Sequence, residues 1–201
     1  RVQKNKMLRV VCASANSHKV AEIFELMGGV LDLVTRPADL AETQETESTL
    51  VGNARLKAVA VCRATELPAL ADDTGLEVDA LGGAPGVRSA RYAGEPSDAD
   101  ANIEKLLKAL LAVEATTTQQ RRARFRTVVL VQWPDGTETI ATGVVEGHIA
   151  LVRVGDGGFG YDPVFIPDDG NGRTFAQMGA EEKHAMSHRG RALRTLAEEL
   201  S

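Results

Sequence analysis

The sequence predicts an α/β fold with a mixed β-sheet and flanking helices. Three observations carry this. Leu8–Ala13 is a short, nearly continuous apolar run with β-branched residues, as a buried strand requires. Strand-like runs alternate with stretches of helical period. Two long β-rich runs, Arg122–Trp133 and Thr137–Val152, flank Pro134-Asp135-Gly136, a hairpin turn, so the sheet cannot be purely parallel.

The elements follow in order from Met7. Ser14-Ala15-Asn16-Ser17 can cap a helix carrying Val20, Ile23, Phe24 and Met27 at helical spacing and ending at Gly28-Gly29. A strand is expected near Val30–Val34, then a polar, acidic loop from Arg36 to Glu47. Ser48 or Thr49 opens a long Ala-rich helix to about Thr65. Ala69-Leu70-Ala71 predicts one strand and Leu76-Glu77-Val78 a second, with a sharp turn allowed by Gly75 between them. Gly82–Ser97 is a loop punctuated by glycine and proline, and Ser97 or Asp98 caps a helix through about Val113. After glycine-rich Gly155–Gly160 come a strand at Val164–Ile166 and a last helix with Ala192, Leu193, Leu196 and Leu200 on one face. There is no internal repeat or low-complexity tract.

A length of 201 residues suits one domain, or two lobes on a shared sheet. Arg1–Lys6 precede the first methionine without periodicity and are taken as an expression leftover, so the domain is read as residues 7–201. No stretch reaches the roughly 20 apolar residues of a membrane span, and Leu8–Ala13 is too short for a signal-peptide core, so the expected location is cytoplasmic, away from membranes. Cys12 and Cys62 lie singly in apolar surroundings, which fits buried reduced thiols. A net charge of −5 argues against stable nucleic-acid binding but leaves room for a small anion in a local cationic recess.

Five segments could carry chemistry. Ser14, Asn16 and Lys19 lie where a buried strand hands over to a helix, and free N–H groups there attract phosphate oxygens; a plain cap with a solvated lysine is the alternative. The segment lacks the Walker A glycines. Asn53 and Lys57, one turn apart, form a polar stripe on an otherwise apolar helix. Asp72 and Asp73 follow a buried strand, where one carboxylate can face a ligand while the other braces the backbone; a carboxylate beside phosphates is the usual holder of magnesium. Glu42, Glu45 and Glu47 offer a second ligand. Gly155–Gly160 formally matches the dinucleotide fingerprint, but Tyr161-Asp162-Pro163 and a strand follow it, so the Rossmann reading is rejected; the segment can still let a flat base approach beside Phe159, Tyr161 and Asp162. Lys183, His188 and Arg189 bring three potential cations to the start of the last helix.

In this order, S-x-N-x-x-K, N-A-x-x-K-A, A-D-D-T-G-L, G-G-A-P-G-V-x-S-A-R-Y-A-G, G-G-F-G-Y-D-P and S-H-R-G resemble the inosine triphosphate pyrophosphatase family, a resemblance that extends over nearly all of Met7–Ser201. The resemblance implies an elongated α/β fold of two lobes around a central substrate cleft, a homodimer, and magnesium-dependent cleavage of non-standard purine nucleoside triphosphates (dITP, ITP, XTP) to monophosphate and pyrophosphate. It places Ser14, Asn16, Lys19 and Lys57 on the triphosphate, and Glu45 and Asp73 on Mg2+, with Asp73 also the base for water. Thr74 would touch the substrate, Phe159, Gly160, Tyr161 and Asp162 would flank sugar and base, and Lys183, His188 and Arg189 would read the base edge. The chain departs from the common pattern at Ala15, at Gln44, where many relatives carry a second glutamate, and at Gln177. A Maf-type pyrimidine nucleotide pyrophosphatase and a nucleotide-binding sensor without turnover are the other readings; S-H-R-G and G-G-F-G-Y-D-P favour the purine one.

Overall fold

The structure is a computed structural model that describes residues 7–201; the reading of Arg1–Lys6 as a leftover lies outside the described residues. Seven strands form one mixed sheet: β1 (Arg9–Cys12), β2 (Asp32–Thr35), β3 (Ala69–Val78), β4 (Pro85–Gly86), β5 (Arg122–Gln132), β6 (Glu138–Ile149) and β7 (Phe165–Pro167). Their order is β2-β1-β3-β5-β6-β7, with β4 on β3. Pairing is parallel for β1 with β2 and with β3, and antiparallel for β3 with β4 and β6 with β7. Five helices accompany it: α1 (Ser17–Met27), α2 (Leu50–Thr65), α3 (Ala99–Ala112), α4 (Ala180–Met186) and α5 (His188–Glu199).

Helix starts are set by short polar side chains that satisfy the first free N–H groups. Asn16 accepts from the amides of His18 and Lys19, Thr49 from Gly52, and Asp98 from Ala101. At the hairpin turn, Gly136 takes φ +91, a conformation open to glycine, while Asp135 accepts from the amide and hydroxyl of Thr137.

The chain divides into two compact units. The first comprises the chain up to Asp73 with Val128–Thr142 and Ala192–Ser201; the second comprises Thr74–Thr127 and Gly143–Arg191. The first buries two apolar clusters. In one, Ile23 and Met27 of α1 meet Val10, Leu70, Val129 and Leu196; in the other, Ala54, Ala58 and Val61 of α2 meet Val11, Ala71 and Leu130. The alanines let α2 approach its strands closely. The second unit has its own core around Ile103, Leu106 and Leu110 of α3 with Phe125, Phe165 and Phe175. Cys12 and Cys62 are buried, free thiols, and burial pushes the Cys12 thiol up to about 11.

Three expectations are corrected. Ala69–Val78 is one ten-residue strand, not two with a turn at Gly75. Parallel pairing with β1 at Ala69 and Leu70 and antiparallel pairing with β4 at Leu76 and Glu77 hold both ends extended, so the aspartates lie within the strand. β6 stops at Ile149 rather than Val152, where the Leu151 and Val152 side chains turn outward. The terminal helical segment is two helices. Ser187 adopts an extended conformation (φ −68, ψ 156), and its hydroxyl accepts from the Gly190 amide, capping a new helix. Lys183 therefore sits in α4, while His188 and Arg189 open α5. Among the described residues no helix is long and apolar enough to cross a membrane.

Candidate active site

The functional residues fall into two groups, one in each unit. In the first unit, strand alternation and the end of β1 concentrate charge. Asp72 and Asp73 are 1% and 4% exposed, far drier than carboxylates tolerate without partners. Lys57 reaches from α2 to supply one: its Nζ donates to Glu45 Oε1 at 2.9 Å and to the Asp72 carbonyl at 2.6 Å, and stands 3.5 Å from Asp73 Oδ1. Lys19, in the first turn of α1, places its Nζ 3.4 Å from Asp72 Oδ2. The Ser14 hydroxyl accepts from the Asn16 amide, so both Ser14 and Asn16 are tied into the start of α1. A recess of about 280 Å3 opens beside Ser14 and Ala15, walled by Thr35, Arg36, Leu40 and Glu42.

Glu45, Asp72 and Asp73 lie among the ammonium groups of Lys19 and Lys57. Burial pushes the Asp73 carboxyl above the usual range; Lys57 and Lys19 pull it back, and Glu45 and Asp72 push it up again. Burial draws Lys57 down, but Asp73, Asp72 and Glu45 outweigh it, so its ammonium is held above the ordinary lysine value.

Asp73 Oδ2 is buried without a hydrogen-bond partner among the described residues. A buried carboxylate oxygen without a hydrogen bond suits a hard divalent cation. The described residues contain no cluster of three or more His, Cys, Asp or Glu able to enclose a metal alone.

In the second unit, Asp162 is the organiser. Its Oδ2 accepts from the Phe159 amide at 2.9 Å and from Lys183 Nζ at 2.8 Å. A Cβ at Gly158, which takes φ +68, would collide with that oxygen, so only glycine fits. Lys183 Nζ lies 4.7 Å from the Phe159 ring centroid, and the Arg189 guanidinium 5.7 Å from it, so both cations share one aromatic ring. Arg189, 1% exposed, donates from Nη2 to Thr74 Oγ1 at 3.1 Å, and Thr74 Oγ1 lies 2.7 Å from Thr127 Oγ1. His188 stacks on Phe125 with centroids 4.5 Å apart. Gly160 takes φ +59 and carries the chain into Tyr161, whose buried hydroxyl donates to the Ser89 carbonyl at 2.6 Å.

The structure thus brings Glu45, Lys57 and Asp73 together, with Lys19 joined through Asp72. It separately gathers Thr74, Phe159, Asp162, Lys183 and Arg189, with His188 beside them. Tyr161 braces the loop from below. Sequence reasoning missed Thr127; the alternation of β5 marks it as sharing a face with Phe125, but a lone buried threonine carries no chemical signal. Asn53 does more than share the Lys57 stripe: it is wholly buried, and its Oδ1 accepts from the Glu47 amide.

A mixed-sheet α/β chain with buried carboxylates, lysines and a helix start beside them has the parts needed for phosphate chemistry. The sequence profile of the Ham1 family matches residues 10–199, and the chain belongs to that family. It is 47% identical over 192 residues to a dITP/XTP pyrophosphatase of Porphyromonas gingivalis, covering 94% of this chain and 96% of the relative. It is 46% identical to a dITP/XTP pyrophosphatase of Rhodospirillum centenum, covering 93% and 92%. Among solved structures, a HAM1 protein from Coxiella burnetii superposes with a TM-score of 0.85 at 42% identity, covering 96% of this chain and 98% of that one. A nucleoside-triphosphatase / dITP/XTP pyrophosphatase from Mycobacterium abscessus gives 0.74 at 39%, covering 96% and 100%.

The raised Asp73 pKa has a consequence for stability. The fold favours the protonated form, so this residue's stabilising contribution is complete below the ordinary value of 3.8 and is lost as pH rises through the raised value. At neutral pH and without metal, ionised Asp73 is a net cost. Asp73→Asn should therefore melt no lower than wild type at pH 7 in EDTA, while losing at least about a hundredfold in turnover, the lower end of a general base's contribution. Melting curves and initial rates check both halves; a clear drop in Tm at pH 7 would show that the Lys57 contact outweighs burial.

Proposed function

We propose that this chain hydrolyses non-standard purine nucleoside triphosphates, dITP, ITP and XTP, to the monophosphate and pyrophosphate. The observation that carries the reading is the buried carboxylate and lysine cluster around Asp73, together with Lys183, His188 and Arg189 on α4 and α5. The names of the full-length relatives supply the substrate class. Residues 7–201 act as one catalytic domain, a cytoplasmic homodimer by resemblance, with Mg2+ held by Glu45 and Asp73.

Ser14, Asn16 and the start of α1 offer phosphate oxygens their N–H and hydroxyl groups, and Lys19 and Lys57 add full charges. Neither lysine needs to be recruited from solvent, because Asp72, Asp73 and Glu45 already hold them. A bound magnesium ion supplies neutralisation of the phosphate charge and acidifies nearby water. Asp73, with its pKa raised by burial, accepts the proton of the water that attacks the α-phosphorus, and pyrophosphate leaves toward the lysines. In the second unit, Phe159, Gly160, Tyr161 and Asp162 form the loop beside the base and sugar. Lys183, His188 and Arg189 all present N–H donors, which suit the 6-oxo acceptor of hypoxanthine or xanthine and oppose the 6-amino donor of adenine.

Incubation of purified protein with dITP and MgCl2 tests the reaction. The products should be dIMP and pyrophosphate, with turnover lost in EDTA; dIDP with orthophosphate would refute it, and so would binding without turnover.

Base reading gives a separate expectation. Arg189→Ala should lower kcat/KM for dITP by roughly tenfold to more than a hundredfold, the loss of one charge-assisted hydrogen bond of about 1.5–3 kcal/mol, and change dATP turnover far less. The dITP to dATP ratio decides, because the amount of active enzyme cancels in it. An unchanged ratio would remove Arg189 from base recognition.

A further inference from the structure

We infer that Asn53 is a positioning residue that fixes the acidic segment before α2 and so sets where Glu45 stands; this rests on Glu45 and Asp73 being the metal ligands. Asn53 is wholly buried on an Ala-rich face, between core residues and one turn before Lys57. An asparagine is a poor choice there for helix formation, because its side chain competes with the backbone, and a poor choice for packing. Its amide nitrogen, Nδ2, is buried without a hydrogen-bond partner among the described residues. An apolar side chain of similar size would avoid that cost, so the group that accounts for the residue is the acceptor, Oδ1, which takes the Glu47 amide at 3.0 Å.

The neighbouring residue points to the same place. A Cβ on Gly52 would lie 2.7 Å from Glu47 Cβ, 2.9 Å from its Cγ and 2.9 Å from Thr49 Oγ1. Glycine, also unfavourable in a helix, leaves the space into which Glu47 packs. Two consecutive residues that α2 would otherwise reject thus both serve Glu47, one by absence and one by accepting its N–H. Residues 41–47 form no regular structure, so nothing in a strand or helix would otherwise fix them. At its other end the segment is tied by Arg36, whose Nη2 donates to the carbonyls of Leu40 and Ala41. Between these ties lies Glu45, with Oε1 on Lys57 Nζ. The segment therefore meets α2 at two points one turn apart, Asn53 by the backbone and Lys57 by the carboxylate.

The test titrates MgCl2 and, separately, MnCl2 against protein without nucleotide, reading thermal stabilisation, and follows amide exchange at Glu47. Asn53→Leu removes the acceptor and keeps the bulk; Asn53→Asp keeps an acceptor and removes the partnerless Nδ2; Gly52→Ala pushes Glu47 away by a different route. Asn53→Leu should expose the Glu47 amide to exchange and raise the half-saturating metal concentration at least about tenfold, as loss of a residue supporting a metal ligand does. Gly52→Ala should raise it similarly, and Asn53→Asp should restore both readouts toward wild type. Should Asn53→Leu fail to fold, the contrast between Asn53→Asp and Gly52→Ala decides. The inference is overturned if Asn53→Leu frees the Glu47 amide yet binds metal as wild type does, or if Asn53→Asp is as impaired as Asn53→Leu or Gly52→Ala. Glu45→Gln run in parallel separates the two levels. If it leaves metal binding unchanged, the ligand assignment itself has failed and the inference falls with it; if it weakens binding while Asn53→Leu does not, only the role of Asn53 is lost.

Discussion

The ammonium of Lys57 is the interaction on which the first group of functional residues depends. It touches the Glu45 carboxylate and the Asp72 carbonyl and stands 3.5 Å from Asp73, so one cation ties together a loop, a helix and a strand. Removing charge from water here is costly. The residue left least satisfied is Asp73, whose pKa is raised and whose Oδ2 has no hydrogen bond among the described residues. Strain of this kind marks a site arranged for a ligand more than for stability.

The second group solves a different problem, holding cations in a dry place with few carboxylates. Asp162 Oδ2 accepts from both Lys183 and the Phe159 amide, while Arg189 lies against the Phe159 ring and donates to the Thr74 hydroxyl. The Gly158 and Gly160 conformations that permit the Phe159 loop are the physical content of the glycine-rich motif.

Much of this was legible in the sequence, where local chemistry decides the outcome. The capping segments Ser14–Ser17, Ser48–Thr49 and Ser97–Asp98, the hairpin at Pro134–Gly136 and the two buried thiols follow from residue type and position, while the structure picks Asn16, Thr49 and Asp98 as the caps. The charged positions Lys19, Lys57 and Asp73 were visible as polar residues in apolar company. What escaped was decided by tertiary pairing. Gly75 looks like a turn until partner strands hold it extended, and Lys183 looks like part of the start of the last helix until Ser187 ends α4 and its hydroxyl caps α5. Thr127 escaped, and the role of Asn53 beyond its polar stripe with it, because each acts through one partner, Thr74 and Glu47.

At the centre of the account is a claim about which bond breaks: water attacks the α-phosphorus and pyrophosphate leaves. Turnover of dITP in water enriched in oxygen-18, with mass analysis of both products, tests it most directly, because it reports which phosphorus was attacked. The account predicts one labelled oxygen in dIMP and none in pyrophosphate. Label in pyrophosphate would mean attack at the β-phosphorus and would contradict it.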